Sequence, residues 1–406
     1  MSNKISVIFI SFLIFWLVFA PKSAIMPDSG WISNSISLFL LWYVRHDLKH
    51  MFTGRNKTFN LLLLTYFTIS VYSVYYNADT INKFDSTYLS IDEDLPQQLT
   101  GVTSIKYLLF YSIGFFASSL YIQRISNTKH IRTLLKTLFF LFLIVLIYTY
   151  IEMIITPPEK HSTIIYSVGN KFSIGYNHLY LCTLYYLIHP FLNRKKQKLC
   201  LLLFISLMLI TSITTWCSTM TLATIILMFL SLITSDKVRN YLASANVVII
   251  SLLVFNIGFF LLASWLVEYD FIQYVITELL NENITLTGRL QIYLDIQKAF
   301  TESPWIGLGY GNSMVVSYFF TGAFDAQNGL VELFIQTGVI GVATFLFLVY
   351  TASKTIEKND IPKYPLVVFI YTIIIISTVE IPFKPTFIFF LSFCFIQGKG
   401  YQKSIK

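Results

Sequence analysis

The stretch LTGRLQIYLDIQKAFTESPWIGLGYGN, residues 286–312, places Arg289 ahead of a run that mixes apolar and polar residues at helical spacing. A guanidinium is planar, always charged and able to fork onto two oxygens, which suits a diphosphate leaving group. Just downstream, DAQNGLVELFIQTGVIG offers Asp325, Gln327, Asn328 and Glu332. The amides of Gln327 and Asn328 can hydrogen-bond sugar hydroxyls, and helix capping accounts equally well for Asn328. Glu332 sits about one turn inside an apolar run, where an ionisable group is costly and marks function. Upstream, SVGNKFSIGYNHLYL carries Lys171 between glycines and His178 at an expected helix start. Lys171 is a second phosphate ligand by charge. His178 titrates near neutrality and suits a base, although a histidine at a span end also serves as an interfacial hydrogen-bonder. VEIPFKP adds Glu380 and Lys384 at the outer edge of the last apolar hairpin.

These groups need elements to hold them. Stepping about 100° per residue from Arg289 puts Ile292, Tyr293, Ile296, Ala299 and Phe300 on one face. Gln291, Asp295, Lys298 and Thr301 fall opposite. The segment is therefore expected to be an amphipathic helix, with Thr287 as N-cap and Pro304 as its stop. Its apolar face should rest on the membrane surface or on the tops of the spans. Arg289 lies on that same apolar face, so it points down, either snorkelling to lipid phosphates or acting as a clamp inside a cavity. The segment GLGYGN fits neither the P-loop nor the dinucleotide pattern, which excludes a nucleotide site of those kinds. Its glycines suit a tight loop that approaches a ligand or another backbone.

The rest of the chain is lipid-soluble. Of 406 residues, 55% are hydrophobic and 12% charged, and mean hydropathy is +0.65. That charged fraction is about half of what soluble domains carry. Apolar runs near or above the roughly 20 residues needed to cross a bilayer are expected at 5–20, 31–44, 58–76, 102–122, 137–156, 176–192, 199–215, 218–234, 245–266, 327–350, 364–380 and 385–396. The second and last are short, so the expectation is eleven or twelve transmembrane helices in one integral-membrane domain spanning 1–406. The MSNK start is read as an uncleaved first helix. With the N-terminus in the cytoplasm, 21 of the 29 Lys and Arg fall on that side. The other side keeps Lys22, Lys83, Lys106, Lys160, Lys171, Arg289, Lys298 and Lys384. Both termini are thus expected inside. The net charge of +8 is an orientation signal and no nucleic acid is implied. The external segments are 77–100, 157–175 and 267–326, the last a large late loop that contains the arginine helix. Cys182, Cys200, Cys217 and Cys394 lie in or beside apolar runs without metal-ligand spacing, and read as small core residues.

LTGRLQIYLDIQKAFTESPWIGLGYG followed by QNGLVELFIQTGVIG resembles the bacterial O-antigen and capsular polysaccharide polymerases (Wzy-type), in the superfamily that includes O-antigen ligases. The likeness rests on an arginine opening a loop helix, a proline, a Gly-rich turn, then a span with Asn, Glu and a closing Gly-x-x-Gly. GNKFSIGYNHL is similar to the family's segment between an external loop and a middle helix. The specific part covers about a fifth of the chain.

The resemblance implies a GT-C-like, metal-independent glycosyltransferase of the bacterial inner membrane that needs no cofactor. It would transfer a growing glycan from undecaprenyl diphosphate to the next undecaprenyl-diphosphate-linked repeat unit at the periplasmic face. Donor and acceptor oligosaccharides on that carrier, membrane lipid and a chain-length regulator are the implied partners. Arg289 would bind the diphosphate and stabilise charge on the leaving group. Lys171 stands where many relatives have arginine. Three departures stand out. Relatives often carry histidine where this chain has Gln327, and glutamine cannot usefully accept a proton. That leaves Glu332, Asp325 and His178 as candidates for the base. Relatives also carry Ser-Arg where this chain has Ser218-Thr219. The alternatives are an O-antigen ligase and a lipid-linked-sugar transporter or flippase. A carrier usually shows related halves with polar residues at the midplane, whereas polarity here concentrates in one external loop.

Overall fold

The computed structural model describes residues 4–19, 30–53, 56–82, 105–126, 128, 130–159, 166–189, 195–233, 235–266, 269–274, 289–357 and 364–396. The expected N-cap Thr287, most of the loop 77–100, and parts of 157–175 and 267–326 lie outside them.

The described chain is almost entirely helical, and among the described residues the one β feature is an isolated bridge between Tyr166 and Gly169. The main helices are α1 (Lys4–Val18), α2 (Gly30–Tyr43), α3 (Lys57–Tyr76), α4 (Ile105–Ile125), α5 (Ile131–Ile155), α6 (Lys171–Ile188), α7 (Lys195–Thr214), α8 (Ser218–Leu232) and α9 (Asp236–Ala243). Next, α10 (Ala245–Leu253) runs through a π-helical turn, Val254–Gly258, into α11 (Phe259–Leu266). The late elements are α12 (Arg289–Asp295), α13 (Gln297–Glu302), α14 (Ser313–Thr321), α15 (Gly329–Glu357), α16 (Tyr364–Ile376) and α17 (Pro385–Ser392). A helix overlies each expected span. Among the described residues six are by themselves long and apolar enough to cross a membrane; α1, α8, α16 and the Pro385–Phe395 helix are apolar but shorter. The architecture is compatible with an all-α polytopic membrane protein.

The apolar faces explain the arrangement. Outer helices such as α5 leave Phe140, Ile144, Ile147, Ile151 and Ile154 exposed, surfaces that suit hydrocarbon rather than water. With no water to bond, the backbone in such a surround must satisfy itself, which selects helix. The C-terminal hairpin differs: every α17 residue from Phe387 to Ser392 is buried, as is almost all of α16. Tyr180 of α6 meets Phe369 and Phe390, whose centroids are 4.6 Å apart and which in turn meet Phe387 and Phe393, in an aromatic core. The last hairpin is thus enclosed by protein, and this is why it can be short.

Helix α6 begins earlier than expected. Asn170 caps it, its Oδ1 accepting from Ser173 N at 3.1 Å, so Lys171 opens the first turn and His178 falls well inside the helix rather than at its start.

The longest described helix is broken. Gly338, inside α15, has φ 62° and ψ −169°. The Gly-rich segment fills that break. Val339 N donates to Pro304 O at 2.9 Å and Ile340 N to Trp305 O at 3.2 Å. In return Leu308 N donates to Ile335 O at 2.6 Å and Gly309 N to Gln336 O at 3.2 Å. A Cβ on Gly307 would lie 2.4 Å from Thr337 N, and one on Gly338 would lie 2.4 Å from Trp305 C. Two backbones meet here, and side chains are excluded. Asn77 Nδ2 donates to Gly307 O at 2.7 Å, and Ser73 Oγ to Gln336 O at 2.8 Å, so the end of α3 clamps the same junction. Backbone groups freed inside an apolar helix are costly unless paired, and this loop pairs them. Of the two uses expected for these glycines, the structure shows the approach to another backbone.

Candidate functional site

The expected amphipathic helix forms as two short pieces, α12 and α13, that meet at Ile296. Ile292, Tyr293, Ile296 and Ala299 are buried as their spacing implies. They pack on the protein: Ile296 and Ala299 join Leu308, Val316, Ala326, Val331 and Ile335 in a cluster against α14 and α15. That docking fixes the first turn and carries Arg289 inward, leaving its side chain 15% exposed.

Two contacts of Arg289 bear on the site. Its Nε donates to Gln327 Oε1 at 3.0 Å. Its Nη2 lies 3.9 Å from Glu380 Oε1, an ion pair longer than a direct hydrogen bond. Gln327 is itself held, since its Nε2 and its backbone N donate to Asp325 Oδ1 at 2.6 and 3.0 Å. Tyr293, one turn after the arginine, donates its hydroxyl toward Gln327 O at 2.9 Å and Thr378 O at 3.1 Å. Gly329 N donates to Ser377 O at 2.8 Å. The loop helix, the start of α15 and the α16–α17 connection are thus stitched together around one point, where Glu380 sits with its side chain 8% exposed.

Charge around that point is mixed. Burial, then negative Asp325, push the Glu380 carboxyl up to about 8. Arg289, Lys384 and Lys171 pull the other way and do not overcome burial, because the nearest of them stands off at 3.9 Å. Asp325 is raised too, chiefly by burial, against a backbone bond from Gln327 and the charge of Arg289. The arrangement can hold a polyanion at its cations and can exchange a proton near neutral pH.

No protein-family profile, curated protein or solved structure matches this chain. The site is therefore read from its own geometry.

Two positions there carry unusual backbone. Among the described residues, the non-glycines with positive φ are Gln327 (51°) and Trp216 (53°). Such conformations cost about 1–3 kcal/mol each and cluster at functional sites. Each positions a partner for a cation: Gln327 meets Arg289, and the Trp216 carbonyl accepts from Lys171 Nζ at 3.3 Å.

Arg289 lies 3.9 Å from Glu380 and is tied through Gln327 to Asp325, while the charges of Asp325, Lys384 and Lys171 act on the Glu380 carboxyl. Glu332 lies to one side, buried, with Gln336 Nε2 donating to its Oε1 at 2.9 Å and Ala326 N facing its Oε2 at 3.5 Å. A cavity of about 70 Å³ lined by Glu332, Gln336, Tyr310 and Lys384 links it to the group.

Two expected residues stand apart. Asn328 is fully buried; its Oδ1 accepts from Leu330 N and Val331 N, and its Nδ2 faces Asn256 O and Thr378 O. Those contacts are a helix cap and an interhelix tie. His178 is 2% exposed, with Nδ1 against Ile174 O at 2.9 Å and Nε2 against the Tyr150 hydroxyl. Its ring ties α5, α6 and, through Thr211, α7.

Sequence reasoning named Glu380 only as an edge charge, and it missed Trp216. The signal for Glu380 was available: a lone carboxylate between two apolar runs. Nothing local marks Trp216, since its role is a carbonyl that only the turn between α7 and α8 presents.

Proposed function

We propose that this chain is a polysaccharide polymerase of the O-antigen type, a membrane glycosyltransferase acting on undecaprenyl-diphosphate-linked glycans. Supporting this reading above all is the inward-held Arg289, backed by Lys171 and Lys384 and set beside buried carboxylates. A diphosphate leaving group needs fixed positive charge where its own charge develops, and a water-poor site makes that charge count. Carboxylates and amides at the same point suit sugar hydroxyls and the proton an acceptor hydroxyl must lose.

In this reading the fold is GT-C-like, both termini face the cytoplasm, and 267–326 with Lys171 and Lys384 faces the periplasm. Donor and acceptor repeat units sit on separate polyprenyl carriers, and a chain-length regulator acts alongside. An apolar groove of about 460 Å³ between α3 and α4, lined by Phe67, Val71, Tyr72, Leu109 and Phe116, suits a polyprenyl tail.

Deletion of the gene, followed by gel separation of the host's surface glycolipids, tests the assignment. A core carrying one repeat unit, with the ladder lost, is the expected result. Bare core would indicate the ligase or flippase alternative; polymer accumulating on the external carrier would mark a ligase, and single units accumulating inside would mark a flippase. An unchanged ladder, with capsule also unchanged, would remove all three.

A further inference from the structure

Glycosyl transfer to a hydroxyl needs a proton acceptor, and Gln327, which faces Arg289 most directly, cannot be one. We propose that Glu380 accepts the proton of the acceptor hydroxyl, in an assignment that rests on the polymerase reading above. Its carboxylate is buried beside the arginine at 3.9 Å, at the junction of the loop helix, the α15 start and the α16–α17 connection. Of the expected bases, His178 has both ring nitrogens engaged between helices and Glu332 is held by Gln336 and Ala326. Asp325 accepts twice from Gln327. Glu380 meets the guanidinium at 3.9 Å, longer than a direct hydrogen bond, so that pairing does not occupy its oxygens as those bonds occupy the other three.

The groups facing Glu380 come from several elements. They are Arg289 and Tyr293 of α12, Asp325 before α15, Lys384 in its own connection, Lys171 and Tyr176 of α6, and Cys217 before α8. Burial and Asp325 hold its proton affinity near neutral pH, which suits a base that must take a proton and release it. In the step, the acceptor hydroxyl oxygen bonds to the donor's anomeric carbon while the bond from that carbon to the diphosphate oxygen breaks. The electron pair leaves with the diphosphate beside Arg289, and the hydroxyl proton passes to Glu380.

The test uses full-length protein purified in mild detergent. The probe is a lipid extract of the deletion host, which accumulates the lipid-linked unit. Polymer formation is followed from about pH 6 to 9. Wild type should speed up with pH through a midpoint near 8. Glu380→Gln should lose about 10²–10⁴-fold in rate and the pH limb with it. Glu380→Asp should keep measurable rate with a moved midpoint. Retention of wild-type rate and pH limb by Glu380→Gln would overturn the assignment while leaving the polymerase reading standing. If the glutamine variant is not monodisperse, the aspartate variant decides, and an unmoved midpoint overturns the idea. No polymer from wild type would sink the polymerase reading and this assignment together.

Discussion

The Nε of Arg289 donates to Gln327 Oε1 at 3.0 Å, and with the Tyr293 hydroxyl on Gln327 O this bond joins α12 to the residue that leads into α15. Gln327 takes a left-handed backbone to make it, with φ 51°. A neutral amide at this place orients the arginine through its inner nitrogen and removes no charge from the guanidinium.

If Arg289 stabilises a leaving diphosphate, Arg289→Ala should lower polymerisation by about 10²–10³-fold, the usual effect of removing one such donor. Membrane insertion should persist, because the helix docks through Ile292, Tyr293, Ile296 and Ala299. Arg289→Lys should recover only part of the rate, since an ammonium lacks the fork. Ladder length and protein abundance in membranes, measured together, check both statements.

Gly338 is a second point of vulnerability. An alanine there meets a backbone region open essentially to glycine alone, costing about 1–3 kcal/mol, and a Cβ only 2.4 Å from Trp305 C. Forced overpacking adds about 1–3 kcal/mol. Gly322, with φ 69° and ψ 5°, is left-handed with nothing within 4 Å of its Cβ site, so Gly322→Ala should cost only about 1–2 kcal/mol. Thermal unfolding in detergent should rank Gly338→Ala well below Gly322→Ala. Equal melting points would refute the account of the filled helix break.

Asn328 separates a structural role from a sugar contact. Asn328→Ala removes a cap worth about 1 kcal/mol and leaves buried groups unpaired at about 1–3 kcal/mol. Lower thermal stability with near wild-type activity per folded molecule is expected. A raised KM with unchanged melting point would instead mean that the amide meets substrate.

The buried carboxyls also give a stability signature. Glu380 moves from an ordinary 4.5 to about 8 in the folded protein, and Asp325 moves in the same direction. The native state then keeps a proton that the unfolded chain has lost. Stability should be greatest below about pH 4.5 for this group, fall as pH rises to about 8, and level off above. Melting temperature across that window should show the slope, and Glu380→Gln should flatten it. A slope unchanged in the variant would place the titration elsewhere.

Hydropathy alone was enough to place the helices: one lies over each expected segment, and among the described residues six are by themselves long and apolar enough to cross a membrane. The inward face of α12 and α13 was equally legible, since helical period decides which side chains can be buried together. Helix packing settled what spacing cannot express. His178 starts no helix, because Asn170 caps α6 before it. The glycines of 307–311 serve a break in α15 that becomes visible only when Gly338 meets Trp305. Glu380 becomes a site residue because the α16–α17 connection is stitched beside α12 and α15, far from it in the chain. Local sequence determines which surfaces must be buried. Which charges then face one another depends on long-range contacts, and those were decided in three dimensions.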